Sequence, residues 1–117
     1  MSKKKIDKRD RDERREDILR PCPYLGYDRD DLATYLLSRG ACEIAETQFR
    51  RAIWLNPFEA MFKVHLAWCL YKEGRYAEAR QWITEAMKQE PNNQVCQRIQ
   101  RLIEQSLERL ESQHKPR

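Results

Sequence analysis

Eight positions of this chain recur at a single offset of 34 residues, and that period constrains the fold more than any other feature. Leu32 pairs with Leu66, Ala33 with Ala67, Leu36 with Leu70 and Gly40 with Gly74. Ala45 pairs with Ala79, Phe49 with Ile83, Ala52 with Ala86 and Pro57 with Pro91. A period of this size marks stacked supersecondary units, each too small to bury its own apolar face alone. The spacing predicts two such units, at residues 26–59 and 60–93, within a body at 28–93.

Inside each unit the apolar residues follow helical spacing, and no stretch shows the two-residue alternation of a strand. The first helix is expected from Asp28, as N-cap with Asp30 and Asp31 in the first turn, to Arg39, where Gly40 breaks it. The second is expected over 42–55, ending before Asn56-Pro57, and the third over 59–72, ending at Gly74. The fourth runs over 76–89 to Glu90-Pro91. A fifth, at 94–112, carries Val95, Ile99, Leu102, Ile103, Ser106, Leu107 and Leu110 on one stripe, with a charged back. One apolar face without the repeat signature is what a terminal capping helix requires. The remaining residues 113–117 read as a tail.

The spacing of these residues resembles the tetratricopeptide repeat (TPR), a helix-turn-helix unit. The second copy carries Leu66-Ala67, Leu70, Gly74-Arg75-Tyr76, Ala79, Ile83, Ala86 and Pro91, and the first carries Leu32-Ala33, Leu36, Gly40, Ala45, Phe49, Ala52 and Pro57. Two departures stand out. Arg29 and Lys63 occupy the place of the large aromatic early in the first helix of each unit, with Phe62 adjacent, and Cys42 replaces the turn tyrosine. The resemblance implies an all-α fold: a right-handed α-α superhelix of two helix-turn-helix units plus a capping helix.

It also implies a concave groove, lined by the first helix of each unit, that binds proteins or peptides. By repeat alignment the groove residues are Tyr27, Asp30, Thr34, Leu37 and Ser38 in the first copy. In the second they are Met61, Val64, Trp68, Tyr71 and Lys72, with His65 at the edge, and the fifth helix adds Val95, Arg98 and Leu102. The lysine and asparagine set by which some relatives grip a C-terminal carboxylate is missing. Val64, Trp68 and Tyr71 suit an apolar peptide or helix instead; for Trp68 and Tyr71 the alternative is packing within the small domain itself, against the fifth helix or Tyr24 and Leu25. Trp54, beside Arg50 and Arg51, reads either as an outer-face anchor or as packed on Phe58.

Charge narrows the alternatives. The net charge is +4, yet residues 1–20 hold nine Lys/Arg against six Asp/Glu, while residues 21–114 hold twelve against thirteen. The basic balance sits at the ends. Residues 1–20 read as a solvated, flexible tail, or as an arm for a partner or an anionic surface. Binding nucleic acid through Lys3, Lys4, Lys5, Arg9 and Arg11 is the alternative function, and Asp7, Asp10, Asp12 and Glu13 argue against it. Pro21-Cys22-Pro23 then begins a lead-in at 21–27 in which Tyr24, Leu25 and Tyr27 are expected to cover one end of the stack.

Cysteines at 22, 42, 69 and 96 form no CxxC pair and read as reduced, mostly buried thiols without a metal, with structural disulfides as the lesser alternative. His65 and His114 are the only histidines, and neither a phosphate-binding loop nor a catalytic carboxylate pair is present. The expectation is therefore a non-enzyme without cofactors. With a mean hydropathy of −0.96 and no secretory leader, a cytoplasmic chain without a membrane span is expected. The functional expectation is an interaction module, an adaptor or assembly subunit of a larger complex. Two repeats are few, so a protein partner or homo-oligomer would stabilise them; a self-assembling scaffold, stacked through Tyr24 and the fifth helix, is a further alternative.

Overall fold

The computed structural model describes residues 25–114, which form α1 (Tyr27–Ser38), α2 (Cys42–Leu55), α3 (Ala60–Lys72), α4 (Tyr76–Gln89) and α5 (Gln94–His114). Expectations for residues 1–20, Cys22 and Tyr24 lie outside the described residues. Sequential helices pack as antiparallel neighbours, and α3 also touches both α1 and α5. The result is an inner layer of α1, α3 and α5 backed by α2 and α4.

The 34-residue period persists into individual hydrogen bonds. Gly40 and Gly74 have φ of 83° and 81°, the left-handed conformation that ends a helix at no side-chain cost. Ala41 N–H then donates to Leu36 O at 2.9 Å, and Arg75 N–H to Leu70 O at 2.9 Å. At the other turns Asn56 N–H reaches Ala52 O and Glu90 N–H reaches Ala86 O, both at 2.9 Å, just before each proline. Asn56 is buried, and its Oδ1 accepts from Phe58 N–H at 3.2 Å, so the α2–α3 turn satisfies its own polar atoms.

The six repeat alanines, together with Phe49, Leu66, Leu70 and Ile83, are fully buried. Small residues let helix axes approach and bulky ones fill the space between, each large side chain contributing roughly 1.5–3 kcal/mol. Phe62 is also buried, beside the position where Lys63 departs from the repeat pattern.

Helix α1 begins earlier than expected. Its N-cap is Gly26, with φ of 93°, rather than Asp28. Gly26 lies so close to its neighbours that an added Cβ would stand 2.7 Å from Phe62 Cε2 and 2.9 Å from Ala52 O. Packing, not capping chemistry, sets this start.

Helix α5 starts where Asn93 Oδ1 accepts from Val95 N–H at 2.9 Å and Cys96 N–H at 3.3 Å. It runs two residues past the expected end. Glu108 stands one period after Gly74, so no left-handed residue stops the helix there. Gln100, Arg101 and Glu104 stand one period after the buried Leu66, Ala67 and Leu70, which leaves nothing for another second helix to pack on. Cys96, Ile99 and Ile103 supply its buried face; Val95 and Leu110, expected on that stripe, are exposed. The stack is closed at this end.

Candidate functional site

The residues expected to line a groove lie on α1, α3 and α5, with unequal access to solvent. Trp68 and Tyr71, one helical turn apart on α3, stack with centroids 5.4 Å apart and planes at 19°. Tyr71 leans on Tyr76 of α4 at 5.4 Å, and Lys72 places its Nζ 4.8 Å from the Trp68 centroid. Spacing of i and i+3 on one helix makes the first contact; the α3–α4 turn makes the second. Trp68, Tyr71 and Tyr76 are half-buried, with one side against the core. Each of these rings packs partly against the core and leaves part of its surface open to solvent. Lys72 is exposed, and a cation over an indole adds attraction of about 0.5–1 kcal/mol at such a site.

Val64 is a correction. It is 1% exposed and belongs to the core, because α3 has inner-layer neighbours on both sides and its middle is covered. Asp30 is likewise buried, at 7% exposure, with its Oδ1 2.7 Å from His65 Nδ1. His65 is half-buried, its ring 6.0 Å from that of Phe49. This pair ties α1 to α3 and removes Asp30 from the accessible groove. Thr34 and Ser38 are exposed, their hydroxyls donating to Asp30 O and Tyr35 O.

Tyr27 turns toward the second repeat instead of covering the end of the stack. Its ring meets Phe62 edge-on at 5.1 Å, and its hydroxyl donates to Glu59 Oε2 at 2.5 Å. That carboxylate favours the protonated phenol and pushes its pKa up. Leu37 and Met61 are half-buried on the same layer, Leu102 is half-buried on α5, and Val95 and Arg98 are exposed.

Trp54 sits apart from the groove on outer-layer helix α2. It is 56% exposed and Phe58 65%, and no ring pairing joins them among the described residues. The outer layer also holds an ion network that the sequence reading missed. Arg75 pairs with Glu46 of α2, with Glu73 at 3.3 Å and with Glu78 at 2.6 Å, while Arg50 reaches Glu46 at 3.0 Å and Glu78 at 3.7 Å. Arg75 holds the Glu78 carboxyl below its ordinary range. Only the i,i+3 and i,i+4 pairs, Arg75–Glu78 and Glu46–Arg50, leave a signal in sequence. Beside the network, Arg50, Trp82, Gln81 and Glu85 help line an open hollow of about 610 Å³, with Arg50 5.7 Å from the Trp82 centroid.

Cys42, Cys69 and Cys96 are free thiols, the last two buried. Burial, with Glu73 nearby, pushes the Cys69 thiol up to about 12, and burial also raises Cys96. Such thiols are protonated at neutral pH and poor nucleophiles. No group of three His, Cys, Asp or Glu side chains that could hold a metal occurs among the described residues. Among those residues no helix is long and apolar enough to cross a membrane.

Two helical hairpins with a capping helix and an aromatic inner face define a short helical-repeat module. The family profile described as Tetratricopeptide repeat matches residues 31–93, and the chain belongs to that family. No curated protein matches it.

Proposed function

We propose that the chain acts as a cytoplasmic adaptor or accessory subunit that holds an apolar peptide or an amphipathic helix of a partner protein in its inner-layer groove. The observation that carries this reading is the Lys72–Trp68–Tyr71–Tyr76 ladder, half-open on the inner face of α3. Leu37, Met61 and Leu102 add half-buried apolar surface on α1, α3 and α5. Large rings already fixed by stacking lose little side-chain entropy when a ligand covers them, which favours them as binding anchors. His65 is engaged with Asp30, so its role is to hold α1 and α3 together rather than to grip a ligand. Trp54 is a second anchor for a partner that reaches the outer layer. Against the self-assembling alternative, most exposed residues of α5, such as Gln94, Arg98, Arg101, Gln105 and Glu108, are polar, with Val95 and Leu110 the exposed apolar ones.

A displayed library of random peptides, selected on the full-length chain, tests the proposal. Apolar peptides should be recovered, and Trp68→Ala or Tyr71→Ala should weaken their binding at least about tenfold, the scale of one lost hot-spot contact. Helical circular dichroism of both variants should stay that of the parent. Peptides that bind the two variants as tightly as the parent would refute groove recognition.

A further inference from the structure

The described residues are close to neutral, yet their charges are sorted around the inner layer. Residues 25–114 hold thirteen Asp/Glu, and each of these is either engaged or turned elsewhere. Asp30 is buried against His65, and Glu59 accepts from the Tyr27 hydroxyl with one oxygen and from Met61 N–H with the other. Glu43, Glu46, Glu78 and Glu85 belong to the outer helices α2 and α4. Glu73 pairs with Arg75 at 3.3 Å, and Glu90, between α4 and α5, accepts from Asn93 Nδ2 at 2.7 Å. Asp28 and Asp31 stand one period before Phe62 and His65, whose rings meet Tyr27 and Phe49 of the preceding repeat, so both acids look out from the N-terminal end.

Helix α5 divides its charge in the same way. Glu104, Glu108 and Glu111 recur at spacings of four and three on one stripe, which Arg80 fixes toward α4 by reaching Glu104 at 3.5 Å. Arg98, Leu102, Gln105 and Arg109 form a separate stripe, and its first three members stand one period after Val64, Trp68 and Tyr71. That stripe continues the inner face of α3. On α3 itself the exposed Lys72 lies over the Trp68 ring. No ion pair engages Lys72, Arg98 or Arg109 among the described residues. The charges left open along the aromatic face are cations.

We infer, resting on the groove reading above, that the occupant is an acidic apolar segment of a partner protein. Its large apolar side chains cover Trp68 and Tyr71, and its carboxylates pair with Lys72 and Arg98. An uncharged apolar segment would cover part of both cations without supplying a partner, and a basic one would add like-charge repulsion. A carboxylate at each cation replaces water with a charge-assisted hydrogen bond. Single-stranded nucleic acid also combines negative charge with flat rings, but its bases need open aromatic faces to stack on. Trp68 already stacks on Tyr71 and carries Lys72, contacts that a base would have to displace. The apolar surface of Leu37, Met61 and Leu102 offers a phosphate no donor.

The test selects a charge-unbiased library of displayed random peptides on the full-length chain and on its Lys72→Glu/Arg98→Glu variant. Peptides recovered on the parent should be apolar and enriched in Asp/Glu over Lys/Arg at least about threefold relative to the input, the scale of one or two exposed ion pairs. The double variant should lose or reverse that enrichment. A synthetic copy of one recovered peptide should bind Lys72→Gln and Arg98→Gln about two- to fivefold more weakly than the parent at low salt, and the difference should shrink as salt rises. Arg51→Gln, the same charge change at an exposed outer-layer position, should bind as the parent does. Apolar peptides that require Trp68 but show no acidic enrichment would overturn the acidic partner and leave the groove reading standing. Enrichment that persists in the double variant would overturn the pairing with Lys72 and Arg98. Recovery of no apolar peptide, or of peptides indifferent to Trp68→Ala, would overturn both readings. Salt-sensitive binding of an oligouridylate that Trp68→Ala abolishes would assign the face to nucleic acid instead.

Discussion

Replacing Gly26 by alanine tests the packing at the N-terminal edge of the groove, and the structure allows its size to be worked out. At φ of 93° an L-residue carries backbone strain, about 1–2 kcal/mol by the usual left-handed penalty. The new Cβ would also stand 2.7 Å from Phe62 Cε2, 2.9 Å from Ala52 O and 3.3 Å from Ala52 Cα. None of these atoms is the end of a flexible side chain. Phe62 is 1% exposed, and Ala52 O already accepts the Asn56 amide that closes α2. Overpacking of this kind costs about 1–3 kcal/mol, which gives Gly26→Ala a total of about 2–5 kcal/mol. Gly40→Ala is the internal control, because at φ of 83° it has the same backbone strain but nothing within 4 Å of its Cβ. It should cost only about 1–2 kcal/mol. Urea unfolding followed by helical circular dichroism reads both, and a common m-value keeps the midpoints comparable. The gap between the variants, about 1–3 kcal/mol, corresponds to a difference in Tm on the order of 4–24 °C for a domain this small. Equal losses within about 0.5 kcal/mol would refute the argument that close approach fixes the α1 start.

Other perturbations separate the remaining contacts. His65→Ala leaves the Asp30 carboxylate buried without its 2.7 Å partner and should destabilise by about 1–3 kcal/mol in thermal unfolding, whereas Asp30→Asn should lose less. Trp54→Ser should change stability by no more than about 0.5 kcal/mol, since the ring is largely exposed; a larger loss would make Trp54 part of the core. Cys69 gives a pH dependence of definite sign. Its thiol ionises near 9.0 when unfolded but near about 12 when folded, so above 9.0 the unfolded chain releases a proton that the folded chain keeps. Stability should fall as pH rises between those values, and Cys69→Ala should flatten that part of the profile. In a thiol-reagent assay on the folded chain, half-buried Cys42 should react well before Cys69 and Cys96.

Much of this fold was legible before any coordinates. The bounds of α2 and α4 agree with the spacing to the residue, and α3 differs only in that Glu59 is the cap, accepting from Met61 N–H at 3.2 Å. Glycine, proline and alanine impose local rules, and local rules repeat with the sequence. The site was less legible. Trp68 and Tyr71, expected in a groove, are half-buried on α3. Val64 was identified by the same alignment and is covered. Leu32 matches Leu66 in sequence but not in burial, since Leu66 has a preceding repeat to cover it and Leu32 does not among the described residues.

The sequence alone determined the helical hairpins, their turns and the alanine-lined seams between helices. Those depend on φ, side-chain volume and spacing within one repeat, all of which the 34-residue period records. Tertiary structure decided which matched positions are exposed, which acids are engaged and how the outer layer is tied together. Asp30 is buried because α3 brings His65 against it, and Arg75 joins Glu46, Glu73 and Glu78 because α2 lies beside the α3–α4 turn. A period encodes what each residue can do for its neighbours. How many neighbours it has depends on where its repeat stands in the stack.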